Sequence, residues 1–161
     1  MTITINGFDT ASINSAINQL ERLREDKAQE ACMRVAEYGA QRAQTTFSFA
    51  SYDGVNDVKV VAEPTIGGAR VRASGNAVLF IEYGAGARHG YGHPRPQGYG
   101  PGTYPGKGHW NDPNGWIYGG IGSGKSRVPL RTWGNPPACA MYNAEQDMYY
   151  RAYELASEVF K

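Results

Sequence analysis

Long apolar runs are missing from this 161-residue chain. No stretch approaches the roughly 18 residues that span a bilayer, and the opening residues lack the basic-then-apolar order of an export signal. A soluble protein made in the cytoplasm is therefore expected, with no membrane partner. Cysteine is scarce: Cys32 and Cys139 stand far apart, which fits neither a disulfide framework nor metal-ligand spacing. Buried free thiols are the expected state of both. Net charge is nearly absent too, since 16 basic and 15 acidic side chains leave +1. With 41% hydrophobic and 19% charged residues, the composition is that of one ordinary globular domain.

Glycine, proline, histidine and tryptophan are sparse everywhere except in one segment. Between Gly84 and Pro137, 54 positions hold 15 of the 21 Gly, 8 of the 9 Pro, and all three His and all three Trp. The bias thus excludes uniform disorder and leaves an ordinary framework on either side. The segment has six basic residues and one acidic, +5, against −4 for the remainder, so the near-neutral total conceals a dipolar chain. A flexible spacer is Gly/Ser-rich and poor in large side chains, whereas this segment interleaves Tyr91, Tyr99, Tyr104, Tyr118, Trp110, Trp116 and Trp133 with its glycines. An ordered, aromatic-pinned contact loop is expected.

Met1 to Phe8 alternates Thr and Ile before Asn6-Gly7, suiting a short strand or arm. From Ala11, capped by Asp9 or Thr10, apolar positions recur every three or four residues up to about Phe47, predicting one long amphipathic helix, or two, with a slip across Arg24-Glu25-Asp26-Lys27. Three β-like runs follow, Asp57 to Glu63, Ala69 to Ala73 and Ala77 to Tyr83, predicting an antiparallel meander. Asn135-Pro136-Pro137 reads as a helix cap with proline at the first helical positions. A stripe of Met141, Tyr142, Met148, Tyr149, Ala152, Leu155, Ala156 and Val159 continues the helix. The expected fold is α+β, a single domain over 1–161: N-terminal helix and meander in 1–83, an extended basic loop over 84–135, and a C-terminal helix in 136–161.

Several motifs weigh less than they first promise. Gly119 to Ser126 fits the phosphate-loop pattern, but Arg127-Val128-Pro129-Leu130 leaves no room for the helix whose N-terminus that motif needs. His89, His93 and His109 could supply imidazoles to zinc, yet no Cys or paired carboxylate accompanies them in sequence. Cys139 near a helix start invites a thiol-nucleophile reading, without an identifiable orienting partner. Asp53, Asp57, Glu63 and Glu82 carry no signal that pairs two carboxylates for glycoside chemistry. No cofactor, catalytic residue or small-molecule substrate is expected. The basic residues Arg88, Arg95, Lys107, Lys125, Arg127 and Arg131, interleaved with Tyr and Trp, have the composition of a contact to DNA or to an acidic protein partner.

In this order of elements, Ile5-Asn6-Gly7-Phe8-Asp9 before the long helix, Val78-Leu79-Phe80-Ile81-Glu82-Tyr83-Gly84-Ala85-Gly86, the stretches Gly100 to Gly106 and Asp112 to Trp116 with His109 between them, and Pro136-Pro137 with Met141-Tyr142-Asn143-Ala144 stand out. On these stretches the chain resembles the small siphophage neck family, the head-to-tail joining or tail-completion proteins of tailed bacteriophages and prophages. The resemblance implies a virion building block with no active site. It further implies a homo-oligomeric ring between neighbouring neck, portal-side and tail-tube proteins, close to packaged DNA. Interface residues expected on that basis are Glu82, Tyr83, Tyr91, Tyr99, Tyr104, Trp110, Trp116 and Trp133. A free-standing DNA-binding module, or a small thiol or metal hydrolase, are the competing expectations.

Overall fold

A computed structural model describes residues 10–50, 57–86, 92–95, 113–118 and 130–161. Helix α1, Thr10–Phe49, runs unbroken for 40 residues, about 60 Å. The slip at Arg24 to Lys27 does not break it, because the stretch is proline-free and rich in Ala, Glu, Gln, Arg and Leu, all strong helix formers. What changes near the slip is the cover. Ile13, Ile17 and Leu20 upstream are exposed, while Ala36, Ala40, Ala43 and Phe47 downstream are buried.

Strands β1, Lys59–Thr65, and β2, Gly68–Ser74, form an antiparallel hairpin from Lys59↔Ser74 to Thr65↔Gly68. The turn is Ile66-Gly67, and Gly67 takes φ 73°, a conformation that strongly favours glycine in so short a connection. One face of the hairpin packs on α1 through Val58, Val60, Ala62, Val71 and Ala73. The other carries Glu63, whose carboxylate accepts from both Arg70 (3.0 Å) and Arg72 (2.6 Å) and is held below the usual carboxylate range by Arg72 and then Arg70. The Gln44 side chain of α1 stands at the edge of β1 like a strand residue, accepting from Val60 N–H (2.8 Å) and donating to Val58 C=O (3.2 Å).

The third predicted strand is a helix. α2, Val78–Tyr83, is a six-residue helix despite strand-prone Val, Phe, Ile and Tyr, because its ends are held by tertiary contacts that outweigh propensity. Asp57 accepts from Asn76 N–H (2.7 Å) and Ala77 N–H (3.0 Å) at its start, bonds that pull the Asp57 pKa below its usual value. At its end, Ile81 C=O and Glu82 C=O accept from Ala138 N–H and Cys139 N–H. A further difference lies in the segment read as loop, where β3, Trp116–Tyr118, pairs antiparallel with β4, Leu130–Thr132.

α3, Ala140–Ser157, begins later than Asn135-Pro136-Pro137 predicts. Asn135 instead exchanges backbone hydrogen bonds with Ala85 (2.9 and 3.0 Å), so the prolines lead up to the helix from outside it. α3 packs antiparallel on α1. Arg42 pairs with Asp147 and, further along, Arg34 with Glu158, and Gly39 lets Met148 approach so closely that a Cβ there would lie 2.2 Å from its sulfur. Ala140 and Ala144 join Ala40, Ala43, Phe47 and Ile81 in the core. Tyr149, predicted on the buried stripe, is 78% exposed, because α3 is covered by α1 and, at its start, by the short α2. A terminal 3-10 turn, Glu158–Phe160, closes the chain against α1 through Lys27, which donates to Val159 C=O. The fold is α+β, with the long helices α1 and α3, the short α2 and the β1–β2 hairpin around one core. No helix among the described residues is long and apolar enough to cross a membrane.

Candidate functional site

Every α-helix starts with N–H groups that lack a partner within the helix. At α3 the capping position is Cys139, which sits in the left-handed region (φ 52°) and makes no side-chain cap. Glu82, at the end of α2, supplies what Cys139 cannot. Its Oε2 accepts from Met141 N–H (2.8 Å) and its Oε1 from Tyr142 N–H (3.1 Å). A carboxylate at that end also complements the positive pole of the helix. Only 4% of Glu82 is exposed.

The same Oε1 lies 3.1 Å from His93 Nε2. His93 is 6% exposed, and its Nδ1 accepts from Arg95 N–H (3.0 Å), so the ring proton of the neutral tautomer sits on Nε2 and is donated to Glu82. The imidazole rests against Tyr83 (4.5 Å between centroids) and edge-on to Tyr142 (5.8 Å). Arg95 continues the contact along α3, one guanidinium nitrogen reaching both Glu145 oxygens (2.9 and 2.7 Å) with the group 5.4 Å from the Tyr142 ring centre. Residues 92–95 of the glycine-rich segment are thus clamped onto the first turns of α3.

Two glycines allow the junction to close. Gly134 (φ 94°) and Gly86 (φ 90°) pass so near the opposite backbone that a Cβ would stand 1.7 Å from Ala85 O and 2.1 Å from Trp133 O. Asn135 also donates from Nδ2 to Phe80 C=O (3.1 Å). Cys139 is half-buried and Cys32 is exposed, which corrects the expectation of two buried thiols: α3 begins at the first and α1 turns the second outward. Burial, then the nearby negative charge of Glu82, push the Cys139 pKa above its ordinary value, the reverse of what activates a thiolate nucleophile.

Of the residues expected at an interface, Glu82 is buried with internal partners, Tyr83 packs on His93, and Trp133 is half-buried. Arg131 is exposed, its guanidinium 3.4 Å from Asn114 C=O. Arg95 has its charge committed to Glu145. Trp116 lies in β3. Tyr91, Tyr99, Tyr104, Trp110, Arg88, Lys107, Lys125 and Arg127 lie outside the described residues, as do the Met1–Phe8 arm, His89, His109 and the Gly119–Ser126 motif. Among the described residues no three His, Cys, Asp or Glu side chains converge as metal ligands would. The capping role of Glu82 and its pairing with His93 escaped the sequence reading, since the partners are 59 and 11 positions away and share no spacing rule. Compared with known proteins, the chain matches no family model, no curated protein and no solved structure.

Proposed function

We propose that the chain is a structural subunit of the head-to-tail connection of a tailed bacteriophage or prophage, assembling as a homo-oligomeric ring in the virion neck. One observation carries this reading. Two of the stretches that carry the resemblance, 78–86 and Pro136-Pro137 with Met141–Ala144, meet in space through Glu82, whose carboxylate caps the helix that opens in the second. Together they form one buried junction that holds residues 92–95 of the basic, glycine-rich segment against the start of α3. A building block needs such a platform and no reaction centre. The raised pKa of Cys139 gives the thiol-hydrolase alternative no help.

The test is the assembly state of the purified full chain by sedimentation and negative-stain microscopy, with detection of the protein in the neck of purified particles. A ring and virion incorporation are the expected results. A monomer that binds free duplex DNA with an affinity falling steeply with salt would replace this reading with the DNA-binding module.

A further inference from the structure

The hairpin has two edges, and they are unlike. Because Val60 N–H is taken by Gln44, Val60↔Ala73 is a pair whose backbone groups point away from each other, and the antiparallel alternation makes Ala62↔Val71 and Pro64↔Ala69 the same. On β1 that outer edge is guarded: Gln44 fills its first positions, and Pro64 has no N–H to offer. On β2 the outward groups belong to Ala69, Val71 and Ala73, and no hydrogen bond from a described residue reaches them; the nearest, from Gln29, goes to Gly68 C=O. An unguarded edge is a template for another strand.

Beside this edge runs an apolar groove of about 460 Å³, floored by Cys32 and Val35 of α1 and walled by Ala69 and Val71 of β2 and by Ala152 and Ala156 of α3. A free strand edge next to an apolar trough is the arrangement that captures an extended peptide: the edge supplies main-chain hydrogen bonds and the trough takes alternate side chains. The occupant must therefore alternate apolar and polar residues.

We propose that the β2 edge and its groove receive Thr2–Ile5 of a second copy of this chain, added as a strand. In Thr2-Ile3-Thr4-Ile5 the two isoleucines fall on one face of a strand and the two threonines on the other. These residues lie outside the described part of the chain, and simple reach selects a neighbour's arm over the chain's own. Ala31, where the groove begins, is 21 positions into α1 from Thr10, about 32 Å along the helix. Ile5 and Ile3 precede Thr10 by five and seven positions, so fully extended chain carries them at most about 18 and 25 Å back. The chain's own isoleucines stop short of the groove. An arm that leaves one body and pairs with the next is a heterologous contact, which closes into a ring or runs on as a filament; the inference rests on the ring reading above.

Cys32 makes the groove self-reporting. In a Cys139→Ser background, the variant Ile5→Cys is oxidised, and the products are resolved on a non-reducing gel with mass-spectrometric mapping of the linked peptides. The expected result is a disulfide joining the thiol introduced at position 5 to Cys32, found in species of dimer mass and above and lost when Cys32→Ser is added. The double variant Ile3→Asp/Ile5→Asp, with an unchanged melting curve, is expected to fall to monomer mass by light scattering. A link confined to species of monomer mass overturns the proposal. So does a wild-type assembly that persists in the double variant without any interchain link, and that outcome leaves the ring reading standing. A wild-type chain that is monomeric and forms no link overturns both.

Discussion

The α1–α3 seam and the Glu82 junction hold the same helix by opposite means. Along the seam, small residues bring two helices together, Gly39 under Met148 and Ala43 near Ala140 and Ala144, and the charged pairs at its margins are exposed. At the junction one buried carboxylate serves Met141, Tyr142 and His93 together. Apolar contact spreads the stabilisation over many atoms, so the seam loses little with any one of them. A buried polar network concentrates it, because each partner left behind keeps its full desolvation cost.

The sharpest way to break that contrast is Glu82→Ala, which orphans two backbone N–H groups and the His93 Nε2–H. A loss of about 3 kcal/mol is expected in chemical denaturation, with Glu82→Gln recovering part of it because an amide oxygen still accepts. Gly134→Ala follows, at about 2 kcal/mol, since φ 94° and the Ala85 carbonyl leave no place for a Cβ. Equal losses from Glu82→Ala and a seam substitution would abolish the distinction. For the seam that substitution is Gly39→Leu, expected to cost roughly 1–2 kcal/mol by forcing Met148 out of its rotamer. Adding Met148→Ala should return part of it, measured as a double-mutant cycle.

Acid should act through three carboxylates away from the junction. Asp57, Glu63 and Glu154 are all held below the usual carboxylate range, by Asn76 N–H, Arg72 and Arg151 foremost. Their folded-state values lie below their unfolded ones, so their contribution is complete above about pH 4 and is lost as pH falls through the depressed values. Thermal melts from pH 7 to 3 should steepen at the acid end, and less so in Asp57→Asn. The smallest effect is expected from Arg42→Ala, which removes an exposed pair with Asp147 and should leave the melting temperature unchanged within error.

Long periodic segments were legible in the chain. The spacing of Ile13, Ile17, Leu20 and Leu23, and later of Met141, Met148, Ala152 and Leu155, predicts both long helices, and the Ala69 to Ala73 run predicts β2. What misled was the short run Ala77 to Tyr83, because so few residues cannot distinguish a buried strand from a buried helix by pattern alone. Its helical state comes from Asp57 on one side and from Ala138 and Cys139 on the other. Asn135-Pro136-Pro137 misled similarly, since its cap chemistry is spent on Ala85 and Phe80.

From sequence alone came the α+β class, the two-part distribution of charge and glycine, and the identity of the segment that departs from the framework. Each is a local or compositional property, set by periodicity and by which residues are present. Only the tertiary structure decided that Glu82, expected at a subunit interface, is the buried cap of a helix 59 positions further on, that Arg95 lies on Glu145, and that, among the described residues, none reaches the outer edge of β2 while Gln44 and Pro64 guard β1. Those outcomes depend on which unpaired donors and acceptors meet once the core closes. Hydrogen bonds between distant residues obey no sequence period.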